Sequence, residues 1–205
     1  MSNPSSASRH LIVFTGPSGV GKGTILKALL ARHPGLQVSI SATTRSPRAN
    51  EVEGTHYYFL SRSQFEAMVA EGNFLEWAEF AGNLYGTPRQ PLLDRMAQGE
   101  RVILEIELEG ARQVRETAPD AFQIFIAPPS LEELESRIRK RGQDTDEAIA
   151  RRMERAKVEI ASADEFDVQI VNDDFELAVQ RLEDVLFPRD PEIANFKPLT
   201  EKTLR

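Results

Sequence analysis

Leu11-Ile12-Val13-Phe14-Thr15-Gly16-Pro17-Ser18-Gly19-Val20-Gly21-Lys22-Gly23-Thr24 carries a strand, a turn and the start of a helix. The apolar run at 11–14 reads as a strand buried on both faces. From Lys22 the period changes, and Ile25, Leu26, Leu29 and Leu30 recur at helical spacing until His33-Pro34-Gly35 stops them. Between strand and helix lies G-x-x-x-x-G-K, in the structural context that a phosphate-binding loop requires. Side chains in such a loop would hold phosphate oxygens away from the backbone N–H groups, which explains Gly16, Gly19 and Gly21. The helix start adds unpaired donors and the positive end of a dipole. Pro17, Ser18 and Val20 complete the loop as candidate triphosphate ligands, and Lys22 supplies a point charge for the transferring group. The general motif has Ser or Thr directly after the lysine. Here Gly23 stands in that place and the hydroxyl follows at Thr24, the candidate magnesium ligand.

Working outward, three more apolar runs, at 102–106, 122–127 and 168–171, read as strands of the same kind. Helical patterns at 110–117, 130–141, 144–163 and 175–187 separate or follow them. Ser130 with Glu133 opens the second of these as a capping box, and Gly142 closes it. In the last, Phe175, Val179, Leu182 and Leu186 share a face. The alternation predicts the α/β class, with a parallel sheet flanked by helices. It breaks between Ser39 and about Pro91, where Tyr, Phe, Thr and Arg are enriched and a helical piece at 63–71 sits among short strands. That stretch reads as an inserted α+β lobe, with Phe74, Trp77 and Phe80 as core.

Length and composition narrow the function. With 205 residues, 40% of them hydrophobic, the chain suits one compact domain with inserted lobes. The absence of cysteine excludes disulfide scaffolds, thiolate metal sites and a cysteine nucleophile. The three histidines have no metal-ligand spacing: His10 belongs to the tail, His33 faces a helix C-terminus and His56 is structural. A net charge of −7 argues against a nucleic-acid partner. No apolar run approaches the roughly 20 residues needed to cross a bilayer, so no membrane role and a cytoplasmic location are expected. Residues 1–10 read as a disordered tail rather than a targeting segment, and the Pro-containing 188–205 as a second tail.

The run Ser41-Ala42-Thr43-Thr44-Arg45-Ser46-Pro47-Arg48 is followed by Glu51, Gly54 and Tyr57, then by Glu76-Trp77 and Gly82-Asn83-Leu84-Tyr85-Gly86-Thr87. Together with the phosphate loop, the T-T-R-x-P-R signature makes the chain resemble guanylate kinase over about 11–187. The resemblance implies a P-loop core (11–38, 100–128, 164–187), a GMP-binding lobe (39–99) and a helical lid (129–163). It implies transfer of the γ-phosphoryl group of ATP to GMP in purine nucleotide metabolism, with Mg²⁺, by a monomer or homodimer. Arg45, Arg48, Tyr57 and Tyr85 would hold the GMP phosphate, and Ser41, Glu76 and Thr87 would read the guanine, with Glu51 beside them. The chemistry agrees. A phosphate dianion suits two guanidinium forks and two phenols. One carboxylate can accept from both N1–H and N2–H₂ of guanine, whereas adenine offers no matching donor pair.

Glu105 and Glu107 close the strand at 102–106, where a parallel sheet presents residues to its ligand. They stand where the family carries acids, for contact with Mg²⁺ through a water (Glu105) or with the guanine side. Between 137 and 157 eight basic residues meet four acidic ones, opposite in sign to the chain as a whole. The resemblance assigns Arg137, Arg141 and Arg152 to the transferring phosphoryl group and Asn172 to the adenine side. A phosphate acceptor is already largely deprotonated near neutral pH, so no general base is expected. The alternatives are a guanylate-kinase-like interaction module without catalysis and a kinase for another nucleoside monophosphate.

Overall fold

The structure, a computed structural model, describes residues 10–80, 82–142 and 144–188. Of the two tails read from the sequence, all but His10 and Pro188 lies outside the described residues. The elements in chain order are β1 (Leu11–Thr15), α1 (Lys22–Arg32), β2 (Leu36–Val38), β3 (Ala42–Thr43), β4 (Tyr58–Phe59), α2 (Arg62–Ala70), β5 (Phe74–Phe80) and β6 (Asn83–Pro88). They continue with α3 (Arg89–Ala97), β7 (Arg101–Glu105), α4 (Leu108–Thr117), β8 (Phe122–Ala127), α5 (Leu131–Lys140), α6 (Asp146–Ala161), β9 (Val168–Val171) and α7 (Phe175–Leu186). A five-stranded sheet has the order β2-β7-β1-β8-β9, with β2–β7 and β8–β9 paired in parallel. The α/β class read from the alternation is therefore the observed one. The described residues divide into two compact units, 35–122 with 10–13, and 14–34 with 123–188.

In the first unit a four-stranded sheet has the order β4-β3-β6-β5, its strands falling between Ala42 and Pro88. Its core is Ala42, Phe65, Phe74 and Leu84, with the Phe65 and Phe74 rings stacked 4.3 Å apart. Helix α2 starts from a reciprocal capping box in which Ser61 Oγ accepts from Gln64 N and the Gln64 side chain accepts from Ser61 N. Trp77 and Phe80 do not join this core. They are 40% and 47% exposed, because only the first half of β5 is covered. Helix α3 was not foreseen: Pro88 and Pro91 look like breakers, yet they fall at the cap and in the first turn, where no N–H is required. His10, expected in the tail, already accepts from Val102 N at 2.7 Å, so pairing begins one residue early. His56 is structural as expected, its Nδ1 accepting from Val52 N.

In the second unit β8 is buried throughout, and β9 alternates between buried and half-buried residues. Helix α1 buries Ile25, Leu26 and Leu29, and α7 buries Ala178, Val179, Leu182, Val185 and Leu186. Phe175 departs from the expected face and is 37% exposed, since it is the first residue of α7 and overhangs its end. His33 caps α1 as expected and also reaches across: its Nε2 lies 2.8 Å from Glu183 Oε1 and its ring stacks on Phe187. Ser130 Oγ accepts from Glu133 N, the serine half of the expected box. Helices α5 and α6 form the basic hairpin, α6 starting at Asp146, two residues later than read, because Thr145 is its cap. Among the described residues, no helix is long and apolar enough to cross a membrane.

Candidate active site

The phosphate loop belongs to the second unit. β1 delivers the chain to Gly16, and α1 leaves from Gly21, which sits in the left-handed region at φ 105°. A side chain at either position is doubly excluded. A Cβ at Gly16 would run into the Ile126 carbonyl oxygen, and one at Gly21 would come 2.6 Å from Asn172 Nδ2. At Gly23 a Cβ would meet nothing within 4 Å, so that glycine answers to no packing demand of the protein. Lys22 folds over the loop, its ammonium donating to the Gly16 and Pro17 carbonyls at 2.5 and 3.3 Å. Thr24 is exposed on the first turn of α1.

Two other expected residues meet this loop. Asn172, 7% exposed at the end of β9, donates from Nδ2 to the Val20 carbonyl at 2.7 Å. Arg137 of α5 donates to the Asn172 carbonyl at 3.1 Å and the Val20 carbonyl at 3.5 Å, with its Nε on Glu133. Both residues therefore bind the loop's backbone. Arg152 is paired with Asp144 at 2.9 Å, while Arg141, exposed at the end of α5, has no ion-pair partner among the described residues.

The remaining candidates lie in the first unit. Glu51 is the organiser of the turn after β3: its Oε1 accepts from Arg45 Nη2 and its Oε2 from the Arg48 backbone, both at 2.8 Å. Those two bonds, the arginine first, hold its carboxyl down at about 2, and the same carboxylate raises the Arg45 guanidinium further. Arg45 also lies 5.5 Å from the centre of the Tyr57 ring, and Tyr57 meets Tyr85 edge-on with centroids 6.2 Å apart. Burial pushes the Tyr57 phenol up from an ordinary value of 10.0 that already makes it a donor at neutral pH. Two phenols and a guanidinium thus converge on one place, which is a donor set for a phosphate.

Glu76 and Thr87 are paired across β5 and β6. The Thr87 hydroxyl donates to Glu76 Oε1 at 2.6 Å, and the two are 0% and 6% exposed for Thr87 and Glu76. Burial raises the Glu76 carboxyl, with Glu107 adding like-charge repulsion, and the Thr87 hydroxyl offsets part of this. Ser41 precedes β3, its carbonyl accepting from Tyr58 N. Glu105 ends β7 and adds negative charge near Tyr57. Glu107 is the N-cap of α4 rather than a strand end, because the chain turns at Ile106. Among the described residues, no group of three or more His, Asp or Glu side chains is arranged to hold a metal ion. Sequence reasoning gave Gly110 no part in the site, only the end of a short turn after Glu107; the tertiary structure sets it against Glu76.

A family model described as guanylate kinase matches residues 8–189. The chain is 63% identical over 185 residues to the guanylate kinase of Nostoc sp., an alignment covering 90% of this chain and 92% of that one. The guanylate kinase of Thermosynechococcus vestitus is also 63% identical, over 89% of this chain and 95% of its own. Among solved structures, the crystal structure of guanylate kinase from Anaplasma phagocytophilum superposes with a TM-score of 0.68 at 33% identity, covering 86% of this chain and 83% of that one.

Proposed function

Because the chain belongs to the guanylate kinase family, we propose that it transfers the γ-phosphoryl group of ATP to GMP, giving ADP and GDP. The observation that carries this reading is the acceptor set gathered in one unit: Arg45 held by Glu51, beside Tyr57 and Tyr85, together with the buried Glu76–Thr87 pair. The first group answers a monophosphate. The second answers guanine, whose N1–H and N2–H₂ can both donate to one carboxylate.

On the donor side the loop from Gly16 to Thr24, kept free of side chains where Ile126 and Asn172 approach, fits a triphosphate with its Mg²⁺. Thr24 is proposed as the hydroxyl ligand of the ion and Glu105 as a contact through a water. When bound, the ion would neutralise charge on the phosphate oxygens. The protein's own part is positioning and electrostatics. Lys22 exchanges its loop carbonyls for phosphate oxygens, and Arg141 and Arg152 spread the charge of the transferring group. Arg137 is proposed to join them there, and it and Asn172 also brace the loop through the Val20 carbonyl. The segment 129–163 is proposed as the lid that excludes water, since water would compete for the phosphoryl group. Tyr57, protonated at neutral pH, donates to the acceptor phosphate, whose oxygen attacks without a general base.

We place this activity in purine nucleotide metabolism and in the cytoplasm. The test is a coupled ADP-release assay with ATP and Mg²⁺, comparing GMP, AMP, UMP and CMP. GMP alone should support turnover at low concentration. Equal use of AMP would remove the guanine assignment, and no turnover with any acceptor would favour a non-catalytic binding module.

A further inference from the structure

Gly110 is the third residue of α4 and is buried, in backbone that any residue could adopt. Alanine would be the better helix former there. Yet a Cβ at this position would stand 2.7 Å from Glu76 Oε2, 3.3 Å from Glu76 Cδ and 3.5 Å from Ile106 Cβ. The absent side chain is therefore the space in which the Glu76 carboxylate rests.

Neither partner can easily give way. Glu76 is 6% exposed and its other oxygen is held by the Thr87 hydroxyl at 2.6 Å. Helix α4 is fastened to the same strand. The Gln113 side chain accepts from Trp77 N at 3.0 Å and donates to Trp77 O at 2.8 Å, completing the free edge of β5 as a strand would. One turn on, the Thr117 hydroxyl donates to Leu75 O at 3.1 Å. These bonds flank Glu76 on both sides along β5 and fix the distance from the helix to the carboxylate.

We propose that Gly110 is a positioning residue for guanine recognition: it reserves the volume that lets the Glu76 carboxylate face the base, while Gln113 and Thr117 set the helix at the required distance. The inference rests on the reading of Glu76 as the guanine acceptor. A methyl group at 110 would leave the fold intact and turn the carboxylate away from its hydrogen-bonding direction. The cost would fall on the base and spare ATP.

The experiment is a double-mutant cycle on kcat/KM for GMP, using Gly110→Ala, Glu76→Ala and the two combined. Gly110→Ala alone should raise the KM for GMP about 10-fold or more, with kcat and the KM for ATP within about twofold and thermal stability undiminished. With Glu76→Ala as background, the same substitution should change kcat/KM by less than about twofold, since no carboxylate remains to be displaced. Equal losses in both backgrounds, or an unchanged KM in Gly110→Ala, would overturn the role of Gly110. If Gly110→Ala fails to fold, recovery of folded protein on adding Glu76→Ala supports the contact and failure to recover refutes it. A normal GMP response in Glu76→Ala would instead remove the guanine reading itself, a result readable before the cycle is completed.

Discussion

The Asn172 side-chain amide donates to the Val20 carbonyl at 2.7 Å, and its nitrogen occupies the space that a side chain at Gly21 would need. One buried amide from the end of β9 thus holds the phosphate loop from behind. The resemblance to the family placed Asn172 near adenine; the geometry adds a role independent of the base. Asn172→Asp should leave the Val20 carbonyl without its donor and set a carboxylate against it, destabilising the fold by about 1–3 kcal/mol. The KM for ATP should rise about 10-fold, which is the same energy expressed as affinity. GTP offered as donor should suffer by the same factor. A loss confined to ATP would show that the residue reads the base.

Lys22 donates to two loop carbonyls, contacts that a phosphate can replace without moving the backbone. Lys22→Ala should lower kcat about 100-fold or more, the scale of removing one preorganised positive group. Its circular dichroism spectrum and melting temperature should match the parent. Turnover within a few-fold of normal would remove the lysine from the chemistry.

The pair of Arg45 and Glu51 gives a pH signature. The Glu51 carboxyl lies at about 2 in the folded protein against an ordinary value of 4.5, so the fold favours its ionised form. The stabilisation is complete above the ordinary value and disappears as pH falls toward about 2. Glu51→Gln should flatten this part of the acid-unfolding curve, which a series of melts from pH 5 downward would record. The same variant should weaken GMP use less than Arg45→Ala, which removes the phosphate-facing fork itself and should cost about 100-fold in kcat/KM. Equal acid sensitivity of parent and Glu51→Gln would contradict the pairing.

Glu76 has the opposite sign. Burial raises its carboxyl, so the folded protein holds the ionised form at a cost that is full above the raised value and eases as pH falls through it toward the ordinary 4.5. Guanine requires that ionised form. GMP affinity should therefore weaken on acidification before an ordinary exposed glutamate would protonate. Glu76→Gln should remove this component of the pH profile, lower kcat/KM for GMP about 100-fold and leave the melting temperature at pH 7 equal or higher. An identical pH profile in the variant would refute the assignment, because the acceptor phosphate titrates in both proteins.

Much of this protein is legible in its order of residues. A strand buried on both faces must be apolar throughout, a phosphate loop must lack side chains at fixed spacing, and an amphipathic helix must repeat its apolar residues. For that reason β1, the loop from Gly16 to Thr24, α1, β8 and α7 can be read directly. The T-T-R-x-P-R run shows its arginines for the same reason: the turn that aims them is local, closed by Glu51 only a few positions away. The lobe was harder. β3 and β4 are two residues each, too short to show a period, and Pro91 hides α3.

What the chain order by itself determined is the list of chemical groups and the local frames that carry them. Which of those groups touch was decided only in three dimensions. Trp77 and Phe80 are apolar and exposed, Arg137 is basic and rests on backbone carbonyls, and Gly110 leaves the space in which Glu76 Oε2 lies. The physical reason is that burial, hydrogen-bond pairing and excluded volume depend on neighbours far apart along the chain, and nothing local to position 110 tells that its space is taken by Glu76.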